Sequence, residues 1–110
     1  KYRTKFATKI IGFDPDNIIE INETSYGVSN SVVDFAKNKN KLIELTNTEA
    51  DFIYCKKNGK LFFNENQSQP GFGDGGVIAK LFDKPKLDRD NFNFISILDN
   101  LEILPVQSLI

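Results

Sequence analysis

Histidine, tryptophan and methionine are absent from this chain of 110 residues. Without histidine there is no common general base, no Ser-His-Asp triad and no imidazole ligand for zinc. The single cysteine, Cys55, cannot close an internal disulfide, so the redox compartment is not written in the cysteines. No apolar run approaches the roughly 20 residues that span a bilayer as a helix. The net charge of −1 gives no general pull toward nucleic acid or an anionic membrane. The stretch from Lys1 carries no signal-peptide pattern, and a piece of a longer chain is expected. Tandem glycine-rich nonapeptides that bind calcium in a parallel β-roll are also missing.

What is present is the composition of one soluble domain, with 40% apolar and 26% charged residues. The pattern centres on residues 51–81. Two aromatic-rich runs, Phe52-Ile53-Tyr54-Cys55 and Leu61-Phe62-Phe63, flank Lys56-Lys57-Asn58-Gly59-Lys60. Asn-Gly between such runs predicts a β-hairpin, because glycine accepts the positive φ of the turn. A two-residue turn pairs Cys55 with Phe62; a three-residue turn with a bulge at Gly59 pairs Cys55 with Leu61. Both faces of the hairpin carry large apolar groups, which predicts that it lies between layers.

Further strands are expected at 9–13, 18–21, 77–82 and 92–97, with a loose edge strand or connection at 1–9. Asp14-Pro15-Asp16-Asn17 and Asp83-Lys84-Pro85 read as turns, 22–30 as a loop and 87–92 as a short helical turn. Ser31 reads as a helix cap, with Val32, Phe35 and Ala36 on one apolar face. Lys37-Asn38-Lys39-Asn40-Lys41 reads as a solvated interruption. Leu42, Ile43 and Leu45 fit a helical turn or a short strand equally well. Residues 64–76 form a polar, glycine-rich loop. The tail, 98–110, is apolar and interrupted by Pro105; unless docked it is an exposed sticky patch. The fold expected is mainly β: an antiparallel β-sandwich or a β-roll-capping domain over residues 1–97, with a central hairpin and one or two short helices.

Few groupings carry chemistry. Gly71-Phe72-Gly73-Asp74-Gly75-Gly76 has the glycines of a phosphate loop, but it lacks Lys-Ser/Thr and leads into a strand, not a helix. Asp88 with Asp90, or Glu20 with Glu23, offer carboxylate pairs, in polar sequence that implies solvated surface. Cys55 reads as a buried core residue, with a reactive thiol as the alternative. Calcium needs several hard oxygens from a loop. Asn64, Glu65, Asn66, Gln67 and Asp74 offer such oxygens, as do Asp14, Asp16 and Asn17.

The order of several motifs resembles the C-terminal module of RTX-type (hemolysin-type) calcium-binding secreted proteins, in its cyanobacterial surface-protein, bluetail-like version. The motifs are Asp51-Phe52-Ile53-Tyr54, Asn58-Gly59-Lys60-Leu61-Phe62-Phe63-Asn64-Glu65-Asn66, Val77-Ile78-Ala79-Lys80-Leu81 and Leu87-Asp88-Arg89-Asp90-Asn91-Phe92. Upstream, Ile11-Gly12-Phe13-Asp14-Pro15 and Ile19-Glu20-Ile21 resemble the segment that leaves the repeat array. Where the family usually has Asp-x-Asp-Gly, this chain has Asn64-Glu65-Asn66-Gln67. The resemblance implies a non-enzymatic module that ends a secreted or cell-surface protein. Its implied partners are an upstream β-roll or other domains of the same protein, the type I secretion machinery and a second copy of itself. It also implies, as the alternative, a calcium-dependent binding or adhesion module, with Ca²⁺ held by Asn64, Glu65, Asn66, Asp74, Asp14 and Asp16.

Overall fold

The computed structural model describes residues 8–10, 12–14, 16–67, 69, 71–73, 75–96 and 108–109. Expectations for residues 1–7, for Asp74 and for most of the tail lie outside them.

The chain is mainly β with few short helices. The central hairpin forms as expected, from β4 (Phe52–Cys55) and β5 (Lys60–Phe63). Its register is neither of the two anticipated: Cys55 faces Lys60, and Phe52 faces Phe63. Four residues make the turn, with Gly59 last at φ +71°. Gly59 N–H donates to the Cys55 carbonyl at 2.9 Å, and its own carbonyl accepts from Leu81 N–H at 2.7 Å. That second bond holds Gly59 against the next strand. A Cβ at this position would overlap the Leu81 carbonyl oxygen, so both the dihedral angle and the close approach require glycine.

The hairpin is the middle of a five-stranded sheet ordered β1-β6-β5-β4-β3. Here β1 is Thr8–Ile10, β3 Val33–Ala36 and β6 Gly76–Leu81. Strand β6 runs antiparallel to β5, with a register shift between Leu61 and Phe62. That irregularity lets the consecutive residues Ile78 and Ala79 join the same core cluster. A second sheet of three strands is ordered β7-β2-β8, from Phe92–Ile95, Ile19–Asn22 and Ser108–Leu109.

Neither sheet is the antiparallel one expected: the five-stranded sheet is mixed, with β1–β6 and β3–β4 parallel, and in the three-stranded sheet β2 is parallel to both β7 and β8. For β3 and β4, a strand stands where a helix starting at Ser31 is expected. Residues 33–36 form strand β3, which pairs in register with β4. The apolar spacing at 32, 35 and 36 was a weak local signal, and pairing with a buried strand overrides it. The helix begins later. Asn38 caps it by accepting from Lys41 N–H at 2.9 Å, and α2 runs Lys39–Leu45. Leu42 and Leu45 face inward and Ile43 outward. Thus β3, α2 and β4 form a β-α-β unit, whose crossover has the dozen or more residues that a parallel pair needs.

The 22–30 loop also contains a helical turn, α1 (Glu23–Tyr26), closed by Gly27 at φ +68°. The Glu23 carboxylate is buried and accepts from both the Ser31 N–H, at 2.9 Å, and the Ser31 hydroxyl. The anticipated turn at 87–92 is a 3-10 turn, Arg89–Asn91, boxed by Asp88 and Asn91.

Alternation along the hairpin splits the core in two. Phe52, Tyr54, Leu61 and Phe63 point to one face, where Ile19, Ile21 and Phe92 of the second sheet pack on them. Ile53, Cys55 and Phe62 point to the other, under Ala36, Leu42, Leu45 and Ala50. The hairpin is therefore covered on both sides, as its two apolar faces predicted.

Candidate functional site

The loop after β5 starts with the most buried polar side chain in the described structure. Asn64 is fully enclosed. Its backbone N–H donates to the Asp51 carbonyl at 2.8 Å. Its side-chain Nδ2 lies among four backbone carbonyl oxygens: Ala50 at 3.0 Å, Thr46 and Gln67 at 3.3 Å, and Thr48 at 3.5 Å. An amide nitrogen carries two hydrogens, so these acceptors outnumber its donors. Asn64 Oδ1 is buried with no hydrogen-bond partner. The chain end of α2 and the start of β4 are thus gathered onto one side chain of the loop.

Asp51 completes this junction from below. It is buried, and its carboxylate accepts from Val32 N–H at 2.8 Å and from Gln67 Nε2 at 2.7 Å. One side chain therefore fastens the entry to β3, the entry to β4 and the loop. Asn64 binds backbone here because an irregular segment against a core must satisfy its amides and carbonyls internally.

Of the six residues with anticipated metal-ligand roles, Asn64, Glu65 and Asn66 come together in one turn. Gly73, from the far end of the loop, is seated against the Glu65 carboxylate and the Asn66 backbone, and its φ is +63°. Asp74 lies outside the described residues. Asp14 and Asp16 belong to a separate turn between β1 and β2. There Asp14 Oδ1 accepts from Asp16 N–H at 3.0 Å, and Asn17 Oδ1 accepts from Asp14 N–H at 3.0 Å. That turn is tied to the 3-10 segment by Asn91 Nδ2, which donates to the Asn17 carbonyl at 3.0 Å. Among the described residues no group of three or more cysteine or carboxylate side chains converges as a metal cage would require.

The other groupings find structural partners. Asp88 accepts from Asp90 N–H at 2.8 Å, and Glu20 accepts from Asn93 Nδ2 at 2.8 Å. Cys55 is a free, buried thiol within the apolar cluster under α2. In the glycine-rich loop Phe72 stacks on Phe62, with centroids 4.8 Å apart and planes at 9°. The glycines thereby fold an aromatic ring back onto the sheet.

One feature of the surface escaped the sequence reading. A solvent-open concavity of about 510 Å³ lies beside α2, lined by Phe35, Lys37, Asn38, Asn40, Lys41, Glu44 and Lys56. Lysines 37 and 41 come from the stretch read as a solvated interruption. The signal available was their density, but only the parallel pairing of β3 with β4 brings Lys56 beside them.

Comparison with protein-family models, with curated proteins and with solved structures finds no match.

Proposed function

We propose that this chain is a non-enzymatic structural and interaction module that terminates a secreted or cell-surface RTX-like protein, serving capping, assembly or type I secretion. The observation that carries this reading is the state of the sheet edges. Among the described residues β1 and β3 of the five-stranded sheet each have one neighbour, and so do β7 and β8 of the second sheet. An edge strand offers a row of backbone donors and acceptors to another strand. A repeat array likewise needs its apolar end covered by a cap. A rigid hairpin filled on both faces is a suitable base for that task. The test is a fusion of tandem Gly-Gly-x-Gly-x-Asp nonapeptides ahead of this chain. Calcium-induced folding of the array, followed by circular dichroism, is expected to need less calcium with the chain attached. An unchanged calcium midpoint would remove the capping role.

The alternative reading is a calcium-dependent binding or adhesion module. The carbonyl oxygens gathered at Asn64 and the unpartnered Oδ1 favour it, since Ca²⁺ takes carbonyl and amide oxygens. A ligand at about 100 times its dissociation constant adds ~2.7 kcal/mol of stability. In a domain of about 100 residues that raises the melting temperature by at least ~10 °C. The terminating-module reading expects the melting temperature of the isolated chain to be the same in excess calcium and in excess chelator. A rise of that size with calcium would replace it by the calcium module.

A further inference from the structure

We infer that the groove at the ends of β3 and β4 is a binding site for an acidic saccharide, a sugar chain carrying carboxylate or sulfate groups. This role stands apart from capping and does not depend on it.

The groove's position follows from the topology. Strands β3 and β4 are parallel and in register, with Ala36 opposite Cys55. The next residues, Lys37 and Lys56, therefore emerge side by side at the carboxyl ends of both strands. Lys56 N–H donates to the Ala36 carbonyl at 2.8 Å, which fixes the two ends together. The first turn of α2 adds Lys41 from above.

Its chemistry is equally selective. Three lysines face one carboxylate, Glu44, and that carboxylate is engaged by Lys41 at 3.2 Å. This is a local excess of positive charge in a chain whose net charge is −1. Such a patch draws anions to itself even where the whole protein does not. Asn38 spends its Oδ1 on the cap of α2, which leaves its NH₂ as a donor toward a ligand hydroxyl or anion. Asn40 adds a second amide at the rim. The volume is within the usual ~300–1,000 Å³ of ligand sites.

The lining separates a saccharide from a nucleic acid. A base needs an open aromatic face on which to stack. Among the described residues the one ring lining the groove, Phe35, packs against Tyr54 and Phe92 and has the Lys56 ammonium 5.7 Å from its centroid. Ammonium groups on flexible stems suit anions spaced along a chain, and amides suit the hydroxyls between them.

The experiment titrates the full chain with a heparin-derived hexasaccharide at low salt, by calorimetry. Binding is expected, with an affinity that falls about tenfold or more as salt screens the patch. A triple variant, Lys37→Gln with Lys41→Gln and Lys56→Gln, is expected to lose at least about tenfold in affinity while its melting temperature holds, since surface substitutions cost little. The matching Lys→Arg triple variant keeps the charge and is expected to retain binding. A control pair outside the groove, Lys84→Gln with Lys86→Gln, is expected to bind as the parent does. No binding by the parent, or an equal loss in the control pair, overturns the site. Tighter binding of a single-stranded oligonucleotide of equal charge overturns the saccharide assignment.

Discussion

The two faces of the central hairpin divide its eight strand residues between them and are held in different ways. On one face Phe52, Tyr54, Leu61 and Phe63 meet the second sheet. The cover there comes from residues far away in the chain, such as Ile19 and Phe92. Rings pack on rings: Phe52 lies 5.4 Å from Tyr26, 5.5 Å from Phe63 and 5.7 Å from Phe94, centroid to centroid. On the other face Ile53, Cys55 and Phe62 meet α2 and one folded-back ring, Phe72. That cover is local, thin and polar at its margins, and it borders both the Asn64 junction and the lysine groove. The first face makes the fold; the second carries the features that can meet a ligand. A single strand can serve both because alternation sends its side chains to opposite sides without compromise.

The largest effect expected from this difference comes from emptying each face in turn. Phe52→Ala removes a fully enclosed ring and is expected to cost ~3–5 kcal/mol. Leu42→Ala, under the thinner cover of α2, is expected at the low end for its type, ~2 kcal/mol, because a short helix can settle into the space. Urea denaturation of both variants measures the gap. Equal losses would mean that the two faces are energetically alike, and the division drawn between them would fall.

A smaller effect is expected at the edge of the second face. Asn64→Ala deletes the donor that four carbonyls share, and it also deletes the unpartnered Oδ1. Losing the donor costs ~1–3 kcal/mol, and losing the orphan acceptor returns part of it. A net loss of ~1–2 kcal/mol in urea is expected, with amide exchange accelerating first in residues 46–50. If exchange accelerates equally across β4 and β5, the junction is part of the global core and not a local clasp.

The same contrast explains what was legible in the sequence. The hairpin, its double burial and strand β6 were legible because aromatic runs around Asn-Gly have one good solution. Strand β3 was not. Its apolar spacing fits a helix face as well as a short strand, and what decides is pairing with β4, a contact that no local pattern encodes. The four-residue turn was missed for a similar reason, since the Gly59 carbonyl is claimed by Leu81, far along the chain. At the site, residues 64–66 lie in a loop, as expected. That Asn64 would be buried beneath carbonyls was not readable, because an asparagine in a polar loop looks solvated. The lysine groove was missed because parallel pairing, itself unforeseen, is what assembles it.

The finest test of the first face uses pH. Tyr54 is enclosed, and its hydroxyl donates to the Pro85 carbonyl at 2.7 Å. Burial first, and then the neighbouring Cys55, push its phenol from 10 up to about 12. The folded state therefore keeps this proton where the unfolded state has lost it. The stability tied to that proton is complete below pH 10 and is lost as pH rises from about 10 to about 12. Tyr54→Phe leaves the Pro85 carbonyl without its donor and is expected to cost ~1 kcal/mol near neutrality. The variant has no phenol to ionise at this position, so the parent's advantage should shrink as pH climbs through that window. Titrating groups that do not act on position 54 are common to both proteins and cancel in the difference. Paired thermal melts at neutral pH and near pH 11 read the change. A constant difference between parent and variant would place Tyr54 in contact with solvent, and the first face would then be less sealed than its packing implies.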